Sequence, residues 1–221
     1  VVAIYDPNSE AIQKAKEALN PSAKAYENYQ DLVKDPNVKW VMIGSWNCFH
    51  AEQAIAAFNA GKHVFCEKPL ALNIEDCLAM RRAWQNCGKQ FTIGFTLRYS
   101  PHYERMKEII TAGEIGKIVS MEFNETLDFN HGGYIHADWR RKTKWAGSHL
   151  LEKCCHDVDL VNWMVGSTAV KAASFGGCDF FTPKNAYHIE RVGKSDNGVD
   201  SFQTWQKRRE GSLGIPGNIL N

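Results

Sequence analysis

Over its first 95 residues the chain alternates short apolar runs with helical stretches, and that alternation permits few folds. Residues 1–5, 39–43, 63–66 and 90–95 are runs rich in β-branched and aromatic side chains, whereas residues 9–19, 31–34, 51–60 and 73–86 read as helices. Ala25-Tyr26 adds a remnant strand, and Gly61 and Gly88 stand where the helices before them should stop. Strands that alternate with helices are joined by crossovers, so a parallel sheet with right-handed connections is expected, an α/β arrangement.

Open sheets of this kind bind ligands at the carboxyl ends of their strands. The run 63–66 leads directly into Glu67-Lys68-Pro69. Pro69 fixes the chain direction and biases Lys68 towards an extended backbone. An amine placed there can hold a substrate hydroxyl or pass its proton, with Glu67 near enough to influence it. The same tripeptide also suits a solvated turn. Asp6 closes the first run. An acid at the end of the second strand of a dinucleotide-binding fold bonds the adenosine ribose, and the lack of an Arg just after Asp6 favours NAD over NADP. Asp6 equally suits a turn or a helix cap. A Gly-x-Gly-x-x-Gly turn occurs nowhere in the 221 residues. The expectation is therefore a partial Rossmann-type doubly wound sheet lacking its first strand and Gly-rich turn, with little dinucleotide binding of its own.

A second domain is expected from near Thr96, dividing the chain into residues 1–96 and 97–221. A helix is predicted over 103–111, an alternating strand over 118–126 and another strand over 169–175, followed by a loop at 180–186 and a polar, glycine-rich remainder. That reads as a partial α+β domain with an incomplete, mostly antiparallel sheet. Residues 128–147 concentrate His131, Tyr134, His136, Trp139, Arg140 and Trp145. Aromatic faces beside hydrogen-bonding tips suit a sugar or polyol, which makes Tyr134, Trp139 and Arg140 candidate substrate contacts. Residues 150–164 read as one helix with Glu152, His156 and Asp159 along one face. An imidazole flanked by two carboxylates can serve as a general base, or the three can be an ordinary polar helix face.

Composition narrows the partners. Lys and Arg total 26 against 25 Asp and Glu, so nothing electrostatic points to nucleic acid or an anionic membrane. No apolar run is long enough for a membrane span. Seven irregularly spaced cysteines suit a reduced, cytoplasmic setting. Cys154-Cys155-His156 is a poor tetrahedral metal set, so no metal is expected. The chain starts at Val1 instead of Met, which leaves a preceding export signal an open question.

The runs 41–57, 61–71 and 150–164 together resemble the glucose-fructose oxidoreductase, inositol dehydrogenase and rhizopine-catabolism (Gfo/Idh/MocA) family, and the resemblance covers most of the chain. It implies an NAD-dependent oxidoreductase acting on a sugar, cyclitol or related polyol, present here as a fragment. By resemblance Lys68 lies beside nicotinamide and substrate, His156 beside the substrate hydroxyl, and Glu152 where the family usually has Asp. Asn47 and His50 match family positions, although Ser45-Trp46 replaces the usual Thr-Pro. The implied cofactor set is Asp6, Asn47, His50, Glu67, Lys68 and Pro69, with His50 equally a helix cap. Arg98 resembles a family arginine at the domain junction and, with Asp159, joins the expected substrate contacts, though it can also bridge the domains. The parent is expected to be a homo-oligomer. Alternatives within the resemblance are a glycoside hydrolase using retained NAD and a non-catalytic ligand-sensing or scaffold relative.

Overall fold

The computed structural model describes residues 1–126, 139–180 and 182–193. Tyr134 lies outside them, as do His131 and His136.

Strand β1 (Ala3–Ile4) passes through Asp6 into helix α1 (Ser9–Leu19), whose cap Asn8 accepts the Glu10 N–H. Strand β2 (Lys24–Ala25) pairs parallel with β1 and is followed by helix α2 (Tyr29–Lys34). Strand β3 (Trp40–Ile43), helix α3 (His50–Asn59), strand β4 (His63–Cys66), helix α4 (Ile74–Cys87) and strand β5 (Phe91–Ile93) follow as two consecutive crossovers. The second sheet is parallel throughout, in the order β3-β4-β5.

The local causes are plain in the residues. One face of α3 carries Ala51, Ala54, Ala57 and Phe58, all buried. The small alanines let the helix lie close to Val64 and Cys66 of β4 and to Met80 of α4 in the common core. Phe58 meets Phe91 edge to face with ring centres 5.1 Å apart, and burying such a ring contributes about 2–3 kcal/mol. Helix α4 begins at Asn73, whose side chain accepts the Asp76 N–H, and ends at Gly88 in the left-handed conformation.

The two sheets are not hydrogen-bonded to each other; a doubly wound order would put its first strand between the edges of β1 and β3. Tyr29 lies close to the chain that leaves β1. Its ring is 6.2 Å from that of Tyr5, and burial and then the charge of Glu52, in the first turn of α3, push the phenol pKa up.

Beyond β5 a 3-10 turn (Thr96–Tyr99) leads to helix α5 (Pro101–Thr111), and another (Trp139–Arg141) precedes helices α6 (Thr143–Ala146), α7 (His149–Glu152) and α8 (Cys155–Val165). Helix α8 packs on α5, and the Lys107 amine donates to the Trp163 carbonyl at 2.7 Å, satisfying a helix-end acceptor. The last elements are a 3-10 turn (Pro183–Asn185), inside the stretch expected to be a loop, and helix α9 (Tyr187–Val192), which the sequence pattern did not reveal.

Three expectations are corrected. Residues 118–126 and 169–175 carry no strand: among the described residues no strand lies beside either, and Val119 and Phe175 are 93% and 96% exposed. Alternation supplies a sheet face, but a strand exists only by pairing. Residues 150–164 are two helices rather than one, broken at Lys153-Cys154. No helix among the described residues is long and apolar enough to cross a membrane, and none of the seven cysteines is in a disulfide.

Candidate active site

The break between α7 and α8 is where the site is built. In an unbroken helix the His156 N–H would bond the Glu152 carbonyl; instead it bonds Lys153 at 3.3 Å, and the Lys68 amine takes the Glu152 carbonyl at 2.7 Å. The end of β4 thus inserts its lysine into the helix ladder. The same amine lies 3.4 Å from Glu152 Oε1.

The Glu152 carboxylate is buried and gathered from three sides. Its Oε2 accepts from Asn47 Nδ2 at 2.6 Å, and its Oε1 accepts from Arg140 Nε at 3.2 Å as well as facing Lys68. Two cations and an amide donor around one carboxylate satisfy the demand that a buried charge be paired and hydrogen-bonded. Lys68 and Glu152, both read as catalytic candidates, therefore meet.

His156 stands at the start of α8, half-buried, with its ring 6.0 Å from Phe95 in an edge-on arrangement. Burial first, then the Lys68 charge, then Lys153, push its pKa down to about 4, so the imidazole is neutral at pH 7. His156 Nδ1 is buried with no hydrogen-bond partner among the described residues.

The expected flanking carboxylates are arranged otherwise, because each has a stronger partner. Glu152 turns to Asn47, Arg140 and Lys68. Asp159 is held by Arg98 in a two-pronged pair at 2.7 and 2.6 Å, and this pair raises the arginine pKa further. Arg98 and Asp159, read as substrate contacts, join the turn after β5 to α8, the bridging role that Arg98 also allowed.

Other assignments shift for the same reason. Arg140, expected to touch substrate, is buried against Glu152 with its guanidinium 4.3 Å from the centre of the Trp139 ring. Trp139 stacks on Trp46 at 5.2 Å and 12°. Asn47 is buried, its amide nitrogen bonding the Ala146 carbonyl as well as Glu152, so it bridges protein segments. His50, 1% exposed, sits between the carbonyls of Pro69 (2.8 Å) and Ser45 (2.9 Å); it fastens the loops after β3 and β4 to each other and is walled off from direct cofactor contact. Pro69 is fully buried beneath it, after a cis Lys68-Pro69 bond. Glu67 directs its carboxylate to the Lys68 backbone N–H at 3.2 Å and covers Gly94, where an added Cβ would come within 2.9 Å of it.

Asp6 lies at the end of β1 with Oδ1 accepting the Asn8 N–H at 2.7 Å, so its turn role is real. Burial nonetheless raises its pKa. Lys153 pairs with Glu125 at 2.6 Å, away from the Lys68 cluster. Among the described residues no group of three or more His, Cys, Asp or Glu is placed to hold a metal ion. The residues that sequence reasoning missed are Trp46, which stacks on Trp139, and the anchoring roles of Asn47 and Arg140. The departure from Thr-Pro at Ser45-Trp46 was the available signal for the first; nothing local announced the others.

Known proteins were compared with this geometry in view. Residues 1–95 match the Gfo/Idh/MocA model described as an oxidoreductase family with an NAD-binding Rossmann fold, and residues 107–203 match the C-terminal alpha/beta domain of the same family. An inositol 2-dehydrogenase/D-chiro-inositol 3-dehydrogenase of Lactiplantibacillus plantarum is 30% identical over 208 residues, covering 92% of this chain and 54% of that protein. The crystal structure of myo-inositol 2-dehydrogenase from Lactobacillus plantarum superposes with a TM-score of 0.67 at 30% identity, covering 75% of this chain and 48% of that one. Scyllo-inositol dehydrogenase from Lactobacillus casei, solved with NAD(H) and scyllo-inositol bound, gives 0.64 at 26% identity, with 75% and 48% covered. The chain spans about half the length of the curated relatives it matches.

Proposed function

Since the chain belongs to the Gfo/Idh/MocA oxidoreductase family, we propose that it carries the catalytic groups of an NAD-dependent dehydrogenase acting on a cyclitol, sugar or related polyol. The observation that carries this reading is that the Lys68 amine, just after a parallel strand, bonds the Glu152 carbonyl at the helix break that precedes His156, whose imidazole burial and then that amine's charge keep neutral. Relatives named as inositol dehydrogenases support the substrate class.

The residues present fit part of a dinucleotide. Tyr5, just after β1, has its ring 6.2 Å from that of Tyr29, and the next residue, Asp6, could accept ribose hydroxyls. A carboxylate there would repel a 2′-phosphate, which favours NAD over NADP. A nicotinamide near Lys68 would supply the hydride acceptor.

The chain's own residues do the rest. Of the three N–H donors of Lys68, two face the Glu152 carbonyl and carboxylate, leaving the third for a substrate hydroxyl oxygen. His156, kept neutral, accepts the hydroxyl proton as the carbonyl forms. Glu152 fixes the amine and Asn47 fixes Glu152. We further assign residues 1–96 to the cofactor-binding domain and 97–221 to the substrate and oligomerisation domain, and read the free thiols as suited to a reducing, cytoplasmic compartment.

The test uses the full-length protein with NAD and a panel of cyclitols and sugars. His156→Ala is expected to lower turnover about 10²- to 10⁴-fold while leaving NAD affinity within a few-fold. Undiminished turnover would overturn the role.

A further inference from the structure

We propose that Arg140 is a positioning residue for Lys68: by binding Glu152 it keeps that carboxylate from drawing the amine away from the substrate position. The proposal rests on the dehydrogenase reading above, but its test does not use turnover.

The distances state the competition. Glu152 Oε1 is shared by two cations, Arg140 Nε at 3.2 Å and Lys68 Nζ at 3.4 Å, while Oε2 is held by Asn47 at 2.6 Å. The shortest contact of the amine is with a neutral group, the Glu152 carbonyl at 2.7 Å. The side chains of Arg140 and Glu152 are 5% and 7% exposed, against 19% for Lys68, so the guanidinium neutralises the carboxylate out of water and the lysine lies at the wetter edge. A buried carboxylate with only one cation in reach would pull that cation in.

The guanidinium is itself held in place. Its plane lies over Trp139, which stacks on Trp46, and Trp46 immediately precedes the Asn47 that grips the other carboxylate oxygen. An aromatic layer and a polar layer thus fix Glu152 together, and Arg140 belongs to both.

The readout is the titration midpoint of His156, followed by NMR of the imidazole in the 221-residue chain, because Lys68 lowers it. Arg140→Gln should let the amine move towards Glu152 and away from His156, raising the midpoint by about half a pH unit or more. Arg140→Lys, which keeps the charge, should restore most of the original value. In a Lys68→Met background, Arg140→Gln should no longer move it. An unchanged midpoint in folded Arg140→Gln, or a rise that persists without Lys68, would overturn the proposal. Should Arg140→Gln not fold, Trp139→Leu takes its place: it frees the guanidinium plane, and the same Lys68-dependent rise is expected, its absence again overturning the proposal.

Discussion

Burial and the neighbouring Lys68 amine keep His156 neutral down to about pH 4, and this couples stability to pH in a definite direction. Above the ordinary histidine pKa of about 6.5 the imidazole is neutral folded and unfolded, and contributes no pH dependence. As pH falls from there towards 4, the unfolded chain takes up a proton that the folded one refuses. Stability therefore drops through that window and levels off below it. After allowance for solvent screening of a half-buried group, the loss is about 1–2 kcal/mol. Comparing urea unfolding at pH 7.5 and 4.5 isolates it: the wild-type protein should lose more stability than His156→Gln, and equal losses would refute the coupling. Lys68 and His156 could be nominated from the sequence, because a strand running into Glu-Lys-Pro and a histidine within an acidic, apolar stretch are local patterns that the family resemblance singles out. Their partners were not. Lys68 and Asn47 reach Glu152 across 84 and 105 positions, beyond the range of any periodicity.

At the level of elements, the alternating half of the chain folded as its pattern required. The reason is that each helix carries its own stop signals and each strand has a parallel neighbour. Where the pattern misled, the missing ingredient was non-local. The alternation over 118–126 is genuine, yet strand pairing needs a second strand, and the described residues offer none. The pattern over 150–164 is helical, yet Lys68, two residues past β4, takes the carbonyl on which continuity depends. Amide hydrogen exchange separates pairing from mere alternation. The amides of residues 118–126 should exchange at least about a hundredfold faster than those of Val64 and Glu67, which bond the Gln90 and Ile43 carbonyls in the central sheet. Slow exchange at alternate positions of 118–126 would establish a strand after all.

Across the whole molecule, the segment 139–165 is fastened to the chain after β3 and after β4 through Glu152, which meets Asn47 and Lys68. Lys68 follows a strand of the portion that matches the family's NAD-binding Rossmann model, and His156 lies on the later helices, in the portion that matches its C-terminal alpha/beta model. Everything proposed about catalysis depends on those two groups sharing one site. The most direct measurement is an NMR titration of the His156 ring in the wild-type chain and in Lys68→Met. A midpoint near pH 4 that rises when the amine is removed, yet stays below about 6.5 because burial persists, is the expected result. A wild-type midpoint at the ordinary histidine value, or one indifferent to Lys68, would contradict it.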